Sequence, residues 1–115
     1  MLQWVVLKHT LPDGTWHYDW LFEPAADAPL LTLRVNSPLR TGEFPCERLP
    51  DHRRIYLTYE GPISNNRGHV TREQQGDIIS VASTPTRLTA TLRTTGETYH
   101  LTTTPTHVTI TLAPK

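Results

Sequence analysis

Apolar and polar residues alternate along much of the chain, and residues 16–23 show the pattern most clearly. The even positions of this segment carry aromatic rings: Trp16, Tyr18, Trp20 and Phe22. Successive side chains of a β-strand point to opposite faces, so the aromatic rings share one face. His17 and Asp19 then share the other face. The pattern predicts a strand that packs its aromatic face into a core and turns His17 and Asp19 toward a groove.

The same period of two recurs in short segments separated by turn residues. We predict further strands over residues 3–9, 30–35 and 54–60, with Ile55, Leu57 and Tyr59 on one face of the last of these. Residues 68–73 and 77–82 are predicted to form a hairpin that turns at Gln75-Gly76. The Thr-rich remainder predicts three more strands. Residues 36–51 contain three prolines and are predicted to form a long ordered loop.

The number and spacing of these segments predict the architecture. About eight or nine short strands in one domain favour closure, because a closed sheet leaves no free edge strands. The ten prolines and the many threonines disfavour helices. We therefore predict an all-β fold, a single small β-barrel of about eight strands, formed as one domain by residues 1–115.

Charge and composition exclude several classes of protein. Lys plus Arg and Asp plus Glu both number 11, so the chain is not a strongly basic nucleic-acid coat. The single cysteine, Cys46, cannot form an internal disulfide and is interpreted as a packing residue. We find no run of about 20 apolar residues and no basic leader. These features predict a cytoplasmic protein with no membrane association.

Three side chains form the first candidate site. His9 ends the first predicted strand, and a short connection makes the second strand its expected antiparallel neighbour. His9 should therefore meet His17 and Asp19 at one end of the pair. Two imidazoles and a carboxylate suit Mn²⁺, Fe²⁺ or Zn²⁺, and three protein ligands leave positions open for water or substrate. The alternative is a solvent-facing, hydrogen-bonded His–Asp pair, which is the commoner use of such spacing.

A second candidate cluster follows the predicted loop. His52, Arg54 and Tyr56 share one parity, and together they offer charge-assisted hydrogen bonds to a phosphate. The alternative is a polar strand edge with a cross-strand ion pair. We find no Gly-rich phosphate loop and no serine-nucleophile motif in the sequence.

Around these clusters the sequence resembles the 3′-phosphoesterase domain of bacterial DNA ligase D and its stand-alone relatives. Two stretches carry the resemblance. The first comprises residues 4–9 and 17–23, WVVLKH and HYDWLFE, and the second comprises residues 51–63 and 68–70, DHRRIYLTYEGPI and GHV. The resemblance extends over residues 3–72, and the Thr-rich tail matches only as strands.

The resemblance implies a compact β-barrel that binds a divalent metal, typically Mn²⁺, with Zn²⁺ as an alternative. The family's metal ligands correspond to His9, His17 and Asp19, and its phosphate-contacting residues correspond to His52 and Tyr56. The implied activity is removal of a terminal ribonucleoside and then of the 3′-phosphate from nucleic-acid 3′ ends. In the family this trimming belongs to DNA repair, which implies a polymerase or ligase as partner.

The sequence departs from the family at one catalytic position. An Arg that contacts the phosphate follows the metal-binding Asp by two residues in the family, and Leu21 stands there in this chain. We expect Arg54 to supply the missing charge, with Arg34 and Arg53 as alternatives. The loop before His17 is also longer than in the family, and the segment after Gly61 is shorter. Two other functions stay open: a catalytically weakened module that binds a metal or a nucleic-acid end, and a structural barrel that binds a protein partner.

Overall fold

The computed structural model describes residues 1–114 and contains nine strands and one turn of 3-10 helix. In chain order the strands are β1 (Leu2–Thr10), β2 (Trp16–Phe22), β3 (Leu30–Val35), β4 (Gly42–His52), β5 (Gly61–Pro62), β6 (His69–Thr84), β7 (Arg87–Thr94), β8 (Glu97–Thr103) and β9 (His107–Leu112). The 3-10 turn spans Arg54–Leu57, between β4 and β5. Within the described residues, no helix is long and apolar enough to cross a membrane.

The strands form one antiparallel sheet that closes on itself. Their order is β1-β2-β3-β4-β9-β8-β7-β6, and β6 pairs again with β1. Eight strands therefore form a ring, and the short β5 pairs with β6 outside it. The prediction of a small all-β barrel of about eight strands is confirmed.

The ring encloses the main apolar core. Trp20 and Phe22 are fully buried there, and Tyr18 packs against the same cluster at its margin. Trp16 departs from the predicted aromatic face, because its side chain is 54% exposed. It pairs with Thr10 at the last position of the β1–β2 ladder, where the Lys8 ammonium lies 4.6 Å from its ring centroid.

A second apolar layer lies on the outer face of β1 and β2. Its buried members are Val5, Leu7, Leu21, Leu30, Leu57 and Val70. The 3-10 turn and the residues after it cover this layer with Tyr56, Tyr59 and Ile63. The middle of β1 is consequently buried on both faces, as the run Trp4–Leu7 shows.

The predicted loop over residues 36–51 is wrong in its second part, where the chain forms β4. Strand β4 pairs first with β9 and then with β3. Its prolines fall where the ladder does not need their missing N–H groups. Pro45 is the last residue that pairs with β9, and Pro50 lies within the register shift opposite β3.

The predicted strand over residues 54–60 is also wrong. Residues Arg54–Leu57 form a 3-10 turn, in which Leu57 is buried in the second layer and Ile55 is 53% exposed. Ile55, Leu57 and Tyr59 are spaced two residues apart, which is also the spacing of one face of a strand. The turn instead inserts one apolar side chain, Leu57, into the layer over β1 and β2.

The predicted hairpin at Gln75-Gly76 is a single continuous strand, β6. Gly76 is needed there for close packing and not for a turn. A Cβ atom at this position would lie 2.1 Å from the Arg93 carbonyl oxygen and 2.6 Å from Nε1 of Trp4. The glycine therefore allows β6 to pass against β7 and the Trp4 indole at once.

Candidate metal centre

His9, His17 and Asp19 lie together on the outer face of the β1–β2 pair. The ladder sets His9 opposite His17 and Leu7 opposite Asp19. A tight turn fixes this register: the Leu11 N–H donates to the Thr15 carbonyl, and the Gly14 N–H donates to the Leu11 carbonyl. The short connection and the period of two thus place the three side chains on one surface, beside the second apolar layer.

The nitrogen and oxygen atoms of these side chains converge. Nδ1 of His9 lies 3.1 Å from Nε2 of His17, which lies 3.6 Å from Oδ1 of Asp19. One ligating atom from each residue lies within 4.8 Å of the other two. Two ligands about 2.1 Å from the same ion are about 3.0–3.4 Å apart when they subtend roughly 90–110°. The cluster is therefore close to the dimensions of a three-ligand face around one divalent cation.

The Asp19 carboxylate is buried and incompletely satisfied. The residue is 4% exposed, and its Oδ1 has no hydrogen-bond partner among the described residues. Nε of Arg34 lies 3.5 Å away, but it forms an ion pair without hydrogen-bond geometry and is itself unpartnered. A buried carboxylate oxygen without a hydrogen bond is costly unless a cation compensates it. Arg34 supplies part of this compensation, but Oδ1 still lacks a hydrogen bond and lies 3.6 Å from Nε2 of His17, so Asp19 and the two imidazoles fit a divalent metal ion.

The tautomer of His9 follows from its second hydrogen bond. Nε2 of His9 lies 2.7 Å from the Arg67 carbonyl oxygen, which can only accept, so Nε2 carries the proton. Nδ1 therefore presents its lone pair toward His17. Metal-binding histidines commonly donate their other ring N–H to such an acceptor, which fixes the ring orientation.

The environment of His17 favours the neutral imidazole. Burial lowers the pKa of His17 below its usual value, and the nearby Arg34 and His9 lower it further, while the Asp19 carboxylate opposes them. Only the neutral ring has a lone pair for a metal. The surroundings of His17 thus favour the protonation state that metal binding requires.

The loop before β6 positions the carbonyl that orients His9. The Arg67 guanidinium binds Ser64 twice, from Nε to the carbonyl oxygen at 2.8 Å and from Nη2 to Oγ at 3.1 Å. Gly68 has a φ of +92°, and a Cβ atom there would lie 1.9 Å from the Thr10 carbonyl oxygen. The loop consequently packs against the end of β1 through Gly68. No sequence motif could indicate this role of Arg67, because the role depends on its backbone carbonyl and not on its side chain.

Gly68→Ala is expected to weaken binding of Mn²⁺ or Zn²⁺ by about 10–100-fold, the usual effect of losing a partner of a metal ligand. The new methyl group must push the loop away from Thr10, which removes the Arg67 carbonyl from His9. Gly96→Ala is the matched control, because Gly96 also has a positive φ, +82°, but nothing lies within 4 Å of the added Cβ. Titration calorimetry of both variants measures the effect; equal metal affinity in the two would contradict this role of the loop.

His52 lies on the other side of Asp19. Its Nδ1 is 3.1 Å from the Pro50 carbonyl oxygen, so Nδ1 carries a proton and Nε2 is the atom that gains or loses one. Nε2 lies 4.0 Å from Oδ2 of Asp19. The Tyr56 ring packs edge-to-face on His52, with 5.8 Å between ring centroids. The structure thus brings His52 and Tyr56 beside the cluster.

Arg54 is not part of this group. Its Nη2 lies 2.7 Å from Oε2 of Glu23, and its Nη1 donates to the Ala28 carbonyl oxygen at 2.8 Å. Glu23 is buried and also accepts the backbone N–H of Gln3, so Arg54 compensates a buried carboxylate at the other end of β2. The expectation that Arg54 supplies the charge near Asp19 therefore lacks support from its placement.

Arg34 is the arginine that the fold sets beside Asp19. The β2–β3 ladder pairs the two residues directly. Leu21, by contrast, is fully buried in the second apolar layer. The cationic group of this surface thus comes from the neighbouring strand.

Comparison with known proteins identifies no family for this chain, so a functional assignment depends on the geometry of the site and on the sequence motifs. No protein-family model matches the chain, and no curated protein matches it significantly. The likeness to the ligase D phosphoesterase domain accordingly stays a resemblance carried by the motifs around His9, His17, Asp19, His52 and Tyr56.

Proposed function

We propose that the protein is a metal-dependent 3′-end phosphoesterase that acts on 3′-phosphate or 3′-ribonucleotide ends of nucleic acid. One observation carries the proposal: Oδ1 of Asp19 is buried without a hydrogen bond and converges with ring nitrogens of His9 and His17. The resemblance to the ligase D domain supplies the substrate class. We place this activity in cytoplasmic DNA repair, upstream of a polymerase or ligase.

His9, His17 and Asp19 would hold the ion, with Mn²⁺ favoured by the family resemblance and Zn²⁺ as the alternative. When bound, such an ion would supply Lewis-acid chemistry for the phosphoryl group and for the attacking water. The Arg67 carbonyl orients His9, and the lowered pKa of His17 favours its neutral form. The chain's own contribution is a ligand set arranged before the ion binds.

The residues around the ligand set suit a phosphate. Arg34 balances the charge of Asp19, so a bound dication leaves the surface positive and complementary to a phosphate dianion. Nε2 of His52, when protonated, donates to a phosphate oxygen or gives its proton to the leaving oxygen. The Tyr56 hydroxyl would donate to a second oxygen. Arg34 would supply the positive charge near the phosphate, because Leu21 is apolar and buried and cannot supply it.

The test is hydrolysis of oligonucleotides that carry a 3′-phosphate or a 3′-terminal ribonucleotide. We expect release of phosphate or of the ribonucleoside with Mn²⁺ or Zn²⁺ and none with a chelator. Metal-dependent capture of the 3′ end without turnover would favour the weakened binding module. Absence of both turnover and binding, with either metal, would favour a structural barrel.

His52→Ala is expected to lower turnover by at least about 10²-fold, the usual contribution of a positioned acid–base group. Metal affinity should hardly change, because His52 is not a proposed ligand. His100→Ala is the matched control, since His100 is an exposed histidine of β8 far along the sheet from β2. Steady-state rates and calorimetric metal titration measure the two properties separately.

Two arginine variants test the assignment of charge in the same assay. Arg34→Met should lower turnover, as His52→Ala does. Arg54→Met should instead lower the free energy of unfolding, because it leaves the buried Glu23 carboxylate without its ion-pair partner. Unchanged turnover in both His52→Ala and Arg34→Met would overturn these roles.

A further inference from the structure

A small cavity lies directly beyond His52, between the 3-10 turn and the chain that follows it. Its volume is about 210 Å³, and its lining includes Arg53, Ile55, Tyr56, Tyr59 and Ser64. Tyr56 belongs both to this lining and to the edge-to-face contact with His52. The cavity is therefore continuous with the surface proposed to hold the phosphate.

The walls of the cavity are aromatic, apolar and well supported. Tyr56 and Tyr59 pack edge-to-face with 6.0 Å between their ring centroids, and the Tyr59 hydroxyl donates to the Pro62 carbonyl. Ile55 leaves 53% of its surface exposed beside these rings, although the 3-10 turn buries its neighbour Leu57. A concave site lined by aromatic and apolar side chains is typical of a surface that receives a flat apolar group.

Arg53 adds a cation to the lining of the cavity. Its guanidinium carbon lies 5.9 Å from the Tyr56 ring centroid, and it forms no ion pair with any residue from 1 to 114. Other arginines near the site already have partners. Arg34 forms an ion pair with Asp19, Arg54 forms one with Glu23, and Arg67 donates hydrogen bonds to Ser64. Arg53 is thus free to pair with a ligand anion.

We propose that this cavity is the subsite for the nucleoside that carries the 3′-phosphate, and that Arg53 pairs with the next phosphate along the strand. The inference rests on the proposed function, because it needs a phosphate held at His52. Aromatic walls with one nearby cation are the usual means of binding single-stranded nucleic acid without reading its sequence. The subsite would thus make the protein recognise a strand end and not an isolated phosphate.

The experiment measures binding of a fluorescent single strand that ends in an uncleavable 3′-methylenephosphonate, with the protein loaded with Mn²⁺. Ile55→Ser should weaken binding about tenfold, as expected if the exposed half of the Ile55 side chain is buried against the base. The loss should disappear when the terminal nucleoside of the probe is abasic. Ile79→Ser is the matched control, because Ile79 is 48% exposed on β6, away from the cavity.

Arg53→Gln should weaken binding about threefold to fivefold, as expected for one exposed ion pair. Replacing the last internucleotide phosphate of the probe by a neutral methylphosphonate should remove this difference. Arg87→Gln is the matched control, since Arg87 is an exposed arginine at the start of β7.

The outcomes separate the subsite from the function. If the parent protein turns over 3′-phosphate ends while Ile55→Ser and Arg53→Gln bind them like the parent, the subsite is wrong and the function stands. An equal loss with nucleoside and abasic probes would also overturn the subsite. If the metal-loaded parent binds and cleaves no 3′ end, the proposed function fails and the subsite fails with it.

Discussion

Replacing His17 by Ala is expected to lower the affinity for Mn²⁺ or Zn²⁺ by more than about 10²-fold, since the loss of an outer partner alone costs about 10–100-fold. His17 is the central member of the cluster, because its Nε2 lies within 3.6 Å of both His9 and Asp19 atoms. Without it the remaining ligands are one imidazole and one carboxylate, which bind a divalent ion weakly. Turnover should fall with the metal affinity.

Calorimetric titration of the chelator-treated protein measures this effect, and turnover at saturating metal separates affinity from chemistry. His107→Ala is the matched control, because His107 is an exposed histidine at the start of β9. If His17→Ala binds Mn²⁺ and Zn²⁺ as tightly as the parent and the His107→Ala control, the proposed centre is not the metal site.

Trp20→Ala is expected to lower the free energy of unfolding by about 3–5 kcal/mol, the usual cost of truncating a buried aromatic side chain. Trp20 has no exposed surface, packs on Phe44 with 6.2 Å between ring centroids, and donates its indole N–H to the Ser37 carbonyl at 2.9 Å. The substitution therefore opens a cavity and leaves a buried carbonyl without its donor. This is a large part of the roughly 5–15 kcal/mol that stabilises a typical domain.

Urea unfolding followed by circular dichroism measures the loss, with Trp16→Ala as the matched control. The Trp16 side chain is 54% exposed, so its truncation should cost less than about 1 kcal/mol. A cost below about 1 kcal/mol for Trp20→Ala would show that the faces of β2 are reversed.

The period-two pattern of residues 16–23 predicted both the strand and the division of its faces. It did so because a strand alternates its side chains regardless of its neighbours. A short turn then made β1 the antiparallel partner of β2, which brought His9 toward His17. The closed barrel could be predicted as well, because many short strands in one domain leave few other ways to cover their edges.

The prediction failed where a residue serves a distant contact. Gly76 looked like a turn residue, but the structure needs it because Trp4 and the Arg93 carbonyl approach the β6 backbone. The spacing of Ile55, Leu57 and Tyr59 looked like a strand, although only the outer layer over β1 and β2 determines that Leu57 points inward. Local spacing contains no information about such neighbours.

The sequence by itself determined the all-β fold and the grouping of His9, His17 and Asp19, because both depend on strand alternation and one short connection. Only the tertiary structure decided which arginine accompanies them. Arg54 follows His52 in the chain but pairs with Glu23, whereas Arg34 lies opposite Asp19 through the β2–β3 register. Cross-strand pairing joins residues by their position in the ladder and not by their distance along the chain, so the β2–β3 register was needed to identify this partner.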